Sequence, residues 1–293
     1  MRVGYVLPMG EDRDEGVPAS GREVVTAAQE LEDAGFDALW VFDHLLMQRP
    51  GEAPGATWES WTLLAALAAT TERATLGTIV TCTGFRPPAL LAKMAHTVHE
   101  MSRGRLLLGL GAGWHEPEYA AFGYPFDHRF SRFEEALAII TAMLRDGRST
   151  FTGRFHTTVD APLLPAPTLP APPIMIGTHG AKMLTLTARH ADAYNTAWHG
   201  RPGDRFAGVR QKLHEALAAA DRDPATLRLT VGMMLRPDGA VPDAPGVPCE
   251  PDAIADALRA WDAEGVDEVV VWAYKCSNDR ARRTAEGLAR YRA

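Results

Sequence analysis

Eight short apolar runs, alternating with amphipathic stretches from one end of the chain to the other, constrain the fold more than any other feature of this sequence. They cover residues 3–7, 38–42, 74–81, 105–110, 174–176, 193–196, 227–234 and 268–272. Most are near-continuous in apolar residues. That is the pattern of strands covered on both faces in a parallel sheet; a half-exposed strand would alternate.

The stretches between them read as helices. Residues 22–34 place Val24, Ala28 and Leu31 on one face, with Ser20 and Glu23 as a capping box and Gly35 as the stop. Residues 88–102 carry Leu91, Met94, Val98 and Met101 on a stripe, and residues 131–145 carry Phe133, Leu137, Ile140 and Leu144 before Gly147. An internal echo links the ends of the chain: residues 34–41 (AGFDALWV) resemble residues 264–271 (EGVDEVVV). Each is a helix end, a glycine, an aspartate and a buried strand. Eight βα units with equivalent hinges predict an α/β fold, a (β/α)8 TIM barrel formed by residues 1–293 as one domain. An open doubly wound sheet is the rival.

Two segments break the alternation. Residues 149–173 contain a predicted hairpin at 151–155 and then a proline-rich stretch, and residues 236–250 are rich in Pro, Gly and Asp. Loops this long at a barrel mouth serve as covers or substrate walls; the plainer reading is surface insertion.

Composition excludes several function classes. The net charge of −7 gives no electrostatic reason to bind nucleic acid or an anionic membrane. Every apolar run is too short to span a bilayer, and the opening run ends at Pro8 before a leader could form. Cys82, Cys249 and Cys276 have neither metal-ligand nor disulfide spacing, so a cytoplasmic protein without a metal is expected.

The strand ends carry the candidate chemistry. Residues 104–126 run from the fourth strand into Gly111, Ala112, Gly113 and Trp114, with Tyr119 beyond. Glycines after a buried strand let a ligand approach the backbone, and the aromatics offer flat apolar surface. The segment reads as the floor of a site for a planar, phosphate-bearing molecule. Asp43 and His44 follow the second strand, where a histidine can exchange protons near neutral pH; the alternative is that Asp43 caps a loop and His44 packs. Thr78 through Gly84 ends the third strand with hydroxyls, and by itself reads as core. Gly177, Thr178, His179 and Gly180 close the fifth strand and open a helix, an arrangement suited to phosphate capture. Asn195, Trp198 and His199 end the sixth and can line the same cavity.

Other patterns fail. Residues 109–114 (GLGAGW) are not a dinucleotide fingerprint, no P-loop Lys-Ser/Thr follows Gly180, and no Gly-x-Ser-x-Gly elbow is present. His96 and His99 share a helix face without a third ligand and read as packing or surface residues.

Taken together, residues 34–44, Leu76-Gly77-Thr78 with Arg86-Pro87-Pro88, residues 102–114 with Glu118-Tyr119 and Phe122-Gly123, and residues 173–177 with 188–195 resemble the bacterial luciferase-like superfamily of flavin and deazaflavin oxidoreductases. The resemblance implies a TIM barrel with an insertion segment near 149–173. It implies a ring system over the end of the third strand at Ile79, Val80 and Thr81, with a non-proline cis peptide at Ile79–Val80. The phosphate end would lie toward Gly111–Gly113 and Gly177–Gly180, and His44 matches the family's catalytic histidine. The subgroup most similar uses coenzyme F420, moving a hydride between the deazaflavin C5 and a small organic substrate. The alternatives are an FMN-dependent two-component monooxygenase, supplied by a separate reductase, and a redox-inactive cofactor carrier. A homodimer is also implied. The sugar-phosphate dehydrogenases of the subgroup have a glutamate where this chain has Trp114 and a tryptophan where it has Gln48, which argues against that activity.

Overall fold

Each of the eight apolar runs forms a strand, and the eight close on themselves. A computed structural model of the protein describes residues 1–10, 18–48, 51–237, 239–240, 245–273 and 279–293. The barrel strands are β1 (Arg2–Val6), β2 (Ala38–Val41), β3 (Thr75–Thr78), β4 (Leu106–Gly111), β5 (Ile174–Gly177), β6 (Ala193–His199), β7 (Arg228–Arg236) and β8 (Glu268–Trp272). Every neighbouring pair is parallel, and β8 pairs with β1, so there is no open edge. This is the (β/α)8 barrel that the buried runs predict, with the open sheet excluded.

The helices are α1 (Gly21–Asp33), α2 (Ser60–Thr70), α3 (Pro88–Met101), α4 (Glu116–Phe122), α5 (Arg129–Asp146), α6 (Ala181–His190), α7 (Asp204–Ala219), α8 (Pro251–Ala263) and α9 (Arg280–Arg292). The Ser20–Glu23 capping box is formed on both sides. Gly35 and Gly147 adopt the positive φ that terminates a helix without a Cβ penalty. Most of the apolar core lies between the strands and this helical layer.

A second, smaller cluster fills the barrel itself, built around Trp40. Its indole occupies space left by Gly4 and Gly77 on the flanking strands, where a Cβ would overlap the ring. Trp40 Nε1 donates to Glu268 Oε1 at 2.9 Å, and Arg2 Nε lies 3.5 Å from the other carboxylate oxygen. Burial pushes the Glu268 carboxyl above its ordinary range, and Arg2 opposes that shift. The N-terminal end of the barrel is thus packed shut.

The structure corrects the third strand, read as continuous over 74–81. It breaks after Thr78, and Thr81–Cys82 resumes pairing against Leu110 and Gly111 of β4. The peptide between Ile79 and Val80 is cis, as the resemblance implies; a second non-proline cis peptide joins Ala197 and Trp198. The predicted hairpin is also longer than 151–155, pairing Arg148–Thr152 with Thr157–Pro162. Glu135 of α5 binds it by accepting N–H groups from Arg154, Phe155 and His156 at 2.8–2.9 Å.

The proline-rich stretch that follows straps the lower half of α3. His96 and His99 donate from Nε2 to the carbonyls of Pro165 and Pro170, at 3.1 and 3.0 Å, and Glu100 accepts from Thr168. The packing reading of the two histidines therefore holds. The strap lies against Gly104, at the end of the barrel away from the catalytic rim, so it is no substrate wall. Of the 236–250 segment, Val247–Pro248 folds back along β7, whereas 238 and 241–244 lie outside the described residues, as does Cys276. Among the described residues, no helix is long and apolar enough to cross a membrane, and no group of three potential metal ligands assembles.

Candidate active site

Asp43 and His44 leave β2 in succession and meet very different surroundings. The Asp43 carboxylate is buried and accepts four hydrogen bonds: Ser60 Oγ at 2.7 Å, the Cys82 N–H at 2.9 Å, and both guanidinium nitrogens of Arg86 at 2.7 and 2.9 Å. Arg86 also contacts Glu59, the N-cap of α2. Every lone-pair direction of Asp43 is taken. The carboxylate ties the end of β2 to the bend after β3 and has no free oxygen for proton transfer, which corrects the expectation that it is catalytic.

His44 is half-buried, and its Nδ1 lies 2.9 Å from Glu118 Oε1. The other Glu118 oxygen accepts the N–H of Leu45, also at 2.9 Å. Three rings surround the imidazole: Phe42 at 5.9 Å, Trp114 edge-on at 5.6 Å and His115 edge-on at 6.0 Å. Trp114 is 62% exposed, a large aromatic presented at the rim instead of packed away.

Val80, on the far side of the cis bond, wedges between β4 and β5. A Cβ on Gly111 would come within 2.6 Å of its side chain and one on Gly177 within 2.8 Å, so both glycines are required by Val80 itself. Gly113 needs positive φ and sits under the Tyr119 hydroxyl. That hydroxyl donates to Ala112 O and lies 2.8 Å from Cys82 Sγ. Burial pushes the Cys82 thiol up to about 12, and the Tyr119 phenol also rises, so neither is an acid or base at neutral pH.

The Gly177–Gly180 turn caps α6 as read from the sequence. Thr178 Oγ1 accepts the Gly180 N–H at 3.1 Å, His179 Nε2 donates to Ala197 O at 3.0 Å, and Gly180 is the N-cap residue without a side-chain cap. Beside the turn, a cavity of about 510 Å³ is lined by Ala112 together with Arg129 of α5 and Lys182 of α6. Arg129 donates to Gly113 O at 2.8 Å. Two basic side chains thus line a cavity at Ala112, next to the Gly111–Gly113 turn of β4.

Two predicted contacts offer no ligand surface. Thr81 is fully buried and donates its hydroxyl to Thr78 at 2.8 Å. Asn195 is buried in the barrel with its amide donated to Thr230 at 2.8 Å. Inward-pointing alternate residues of a closed barrel pack against one another. His199 is likewise buried, hydrogen-bonded to Thr196, and depressed to about 4, chiefly by burial.

Sequence reasoning missed Glu118 as the partner of His44, the Arg86 clamp on Asp43, and the Trp198–Trp272 stack at 4.8 Å. Glu118 stands 74 positions from His44 and nothing local announces the contact.

A family model described as luciferase-like monooxygenase matches residues 1–238. An F420-dependent glucose-6-phosphate dehydrogenase from Intrasporangium calvum is 35% identical over 205 residues, covering 67% of this chain and 56% of that protein. An F420-dependent hydroxymycolic acid dehydrogenase from Mycobacterium tuberculosis is 33% identical over 230 residues, covering 77% and 60%. The chain therefore spans less than two thirds of the length of these relatives. The structure of an F420-dependent secondary alcohol dehydrogenase in complex with an F420-acetone adduct superposes with TM-score 0.80 at 18% identity, over 100% of this chain and 99% of that one. A monooxygenase from Streptomyces bottropensis superposes with TM-score 0.76 at 20% identity, over 100% of both. At these identities the two structures speak for the fold.

Proposed function

The chain belongs to the luciferase-like monooxygenase family, and on that premise we propose that it is an oxidoreductase dependent on coenzyme F420 that interconverts a small carbonyl compound and its alcohol. The observation that carries this reading is His44, held through Nδ1 by a buried carboxylate and left partly open beside the exposed Trp114. The residues suit the cofactor: Val80 presents an apolar surface between Gly111 and Gly177, and the cavity beside Ala112 carries Arg129 and, at the start of α6, Lys182, which provide positive potential for a phosphate. Bound there, F420 would supply hydride chemistry at C5.

The protein's own contribution is orientation and proton management. Val80, Gly111 and Gly177 would support the ring, and the Gly177–Gly180 turn the phosphate. His44 would give a proton to the substrate oxygen, or take one from it, through Nε2. Trp114 and Met47, both exposed near the rim, offer apolar surface, so the substrate would be uncharged where it meets them. The names of the relatives agree with F420.

The FMN monooxygenase reading has the family name in its favour. A peroxyflavin must be kept from water, whereas hydride transfer tolerates it, and an exposed Trp114 next to His44 favours the latter. Titrating purified protein with F420 and with FMN, followed by absorbance and fluorescence, decides between them. F420 should bind at micromolar concentration or below; tight FMN binding with none of F420 would overturn the proposal.

A further inference from the structure

We propose that Glu118 is a positioning residue that keeps the Nδ1 proton on His44 and so directs Nε2 at the substrate, with His115 excluded from the proton transfer. The proposal rests on the oxidoreductase reading above, and it comes from two hydrogen bonds and a competition between two imidazoles.

Glu118 lies in the first turn of α4 and is 1% exposed. A buried carboxylate persists only where donors satisfy it. Its donors come from consecutive residues: the Leu45 N–H to Oε2 and His44 Nδ1 to Oε1. The backbone N–H can only donate. An ionised carboxylate can only accept, so the proton between Oε1 and Nδ1 belongs to the ring. This double grip fixes both the tautomer and the position of the imidazole, because the segment carrying His44 is held by the same side chain.

His115 is the rival, its ring centroid 6.0 Å from that of His44. It is also buried, and its Nε2 accepts the Gln48 N–H at 3.0 Å. A nitrogen that accepts carries no proton, so His115 is the neutral Nδ1–H tautomer. Burial also holds it below the usual histidine range, with the nearby Glu118 opposing that shift and His44 adding to it. Of the other ionisable groups around His44, Asp43 is matched by Arg86, and burial holds the Cys82 thiol protonated. Among the described residues around it, His44 is the histidine whose Nδ1 meets a buried carboxylate while its ring stays partly exposed.

In the reducing direction, F420 bound there would supply the hydride to the carbonyl carbon, whose π pair would pass to oxygen, and oxygen would take the Nε2 proton of His44. The imidazole would be left neutral, still Nδ1–H to Glu118, and would be recharged at Nε2 by the proton that the reduced cofactor gives up along with its hydride. Alcohol oxidation would run the same path backwards.

The test compares wild type, Glu118→Gln and Glu118→Asp. The first readout is long-range ¹H–¹⁵N NMR of the histidine rings without cofactor. Wild-type His44 should be Nδ1-protonated when neutral. Glu118→Gln should switch it to the Nε2-protonated tautomer, because the Leu45 N–H keeps the amide oxygen and leaves the amide NH2 facing Nδ1. Glu118→Asp should keep Nδ1 protonated. The second readout is turnover: kcat of Glu118→Gln should fall about 10²-fold with F420 affinity changed less than about twofold, and Glu118→Asp should recover part of kcat. An unchanged His44 tautomer in Glu118→Gln overturns the proposal, as does an Nε2-protonated wild type. If Glu118→Gln does not fold, Glu118→Ala decides through the same tautomer assignment. Loss of the F420 reading itself would look different, since the tautomer change would appear in a protein that neither binds nor turns over F420.

Discussion

At the N-terminal end of the barrel, Glu268 is closed in by Trp40 and Arg2, and the indole fits between two glycines with no room left over. At the C-terminal end, Glu118 grips His44 with equal closeness, yet the imidazole stays partly open and Trp114 stands 62% exposed beside it. Both ends bury a carboxylate against a ring N–H. At one end the ring's remaining surface is apolar and covered, so the bond can only stabilise. At the other the ring stays partly exposed, with a second nitrogen outside that bond, which is what the proposed proton transfer needs. Asp43 shows that the upper end is not uniformly reactive, since four donors leave it as closed as Glu268.

The sharpest way to break this contrast is His44→Ala. Turnover with F420 should fall about 10²- to 10⁴-fold while the melting temperature and cofactor affinity barely move. Trp40→Ala should do the reverse, costing about 3–5 kcal/mol in urea denaturation, with normal spectral changes on F420 binding for the fraction that remains folded. A large activity effect from Trp40→Ala at saturating cofactor and full folding would erase the distinction between the ends. Asp43→Asn should behave like the lower end despite its place at the rim. Disrupting its buried pair with Arg86 should cost about 3 kcal/mol, and turnover per folded molecule should suffer less than in His44→Ala.

A pH series probes the buried histidine at the end of β6. His199 is held near 4 in the folded protein against 6.5 when unfolded. As pH falls below 6.5 the unfolded chain takes up the proton first, so stability is present above that pH and is lost progressively down to about pH 4. The loss should reach about 2–3 kcal/mol by pH 4. Denaturation curves at pH 7 and pH 5 should diverge in wild type and converge in His199→Gln. The smallest effect belongs to Trp114→Ala: KM for an apolar carbonyl should rise several-fold, about 1 kcal/mol, with unfolding free energy unchanged within about 0.5 kcal/mol.

Much of the barrel was legible because its cues are local. Apolar runs, the Ser20–Glu23 box and the glycine stops at 35 and 147 each act within a few residues, and all appear as read. The break in the third strand was not legible. Thr78 through Cys82 is a good strand sequence, and the bend follows from how that segment meets β4. Thr81 is placed at the ligand by the family resemblance and Asn195 by its strand end, whereas the Thr78–Gly84 run by itself reads as core. Their burial depends on which way each side chain points in the closed barrel, and a shift of one residue reverses it.

The sequence by itself determined the alternation of strands and helices, the closed barrel that follows from it, and the rim on which His44 and the glycine turns lie. These depend on periodicity and on residues near one another in the chain. Only the tertiary structure decided which of the two adjacent residues after β2 is closed off and which stays partly open. That outcome depends on Arg86 reaching Asp43 and Glu118 reaching His44, contacts across 43 and 74 positions. The identity of a buried group's partner is set by chain closure in three dimensions, and no local pattern carries it.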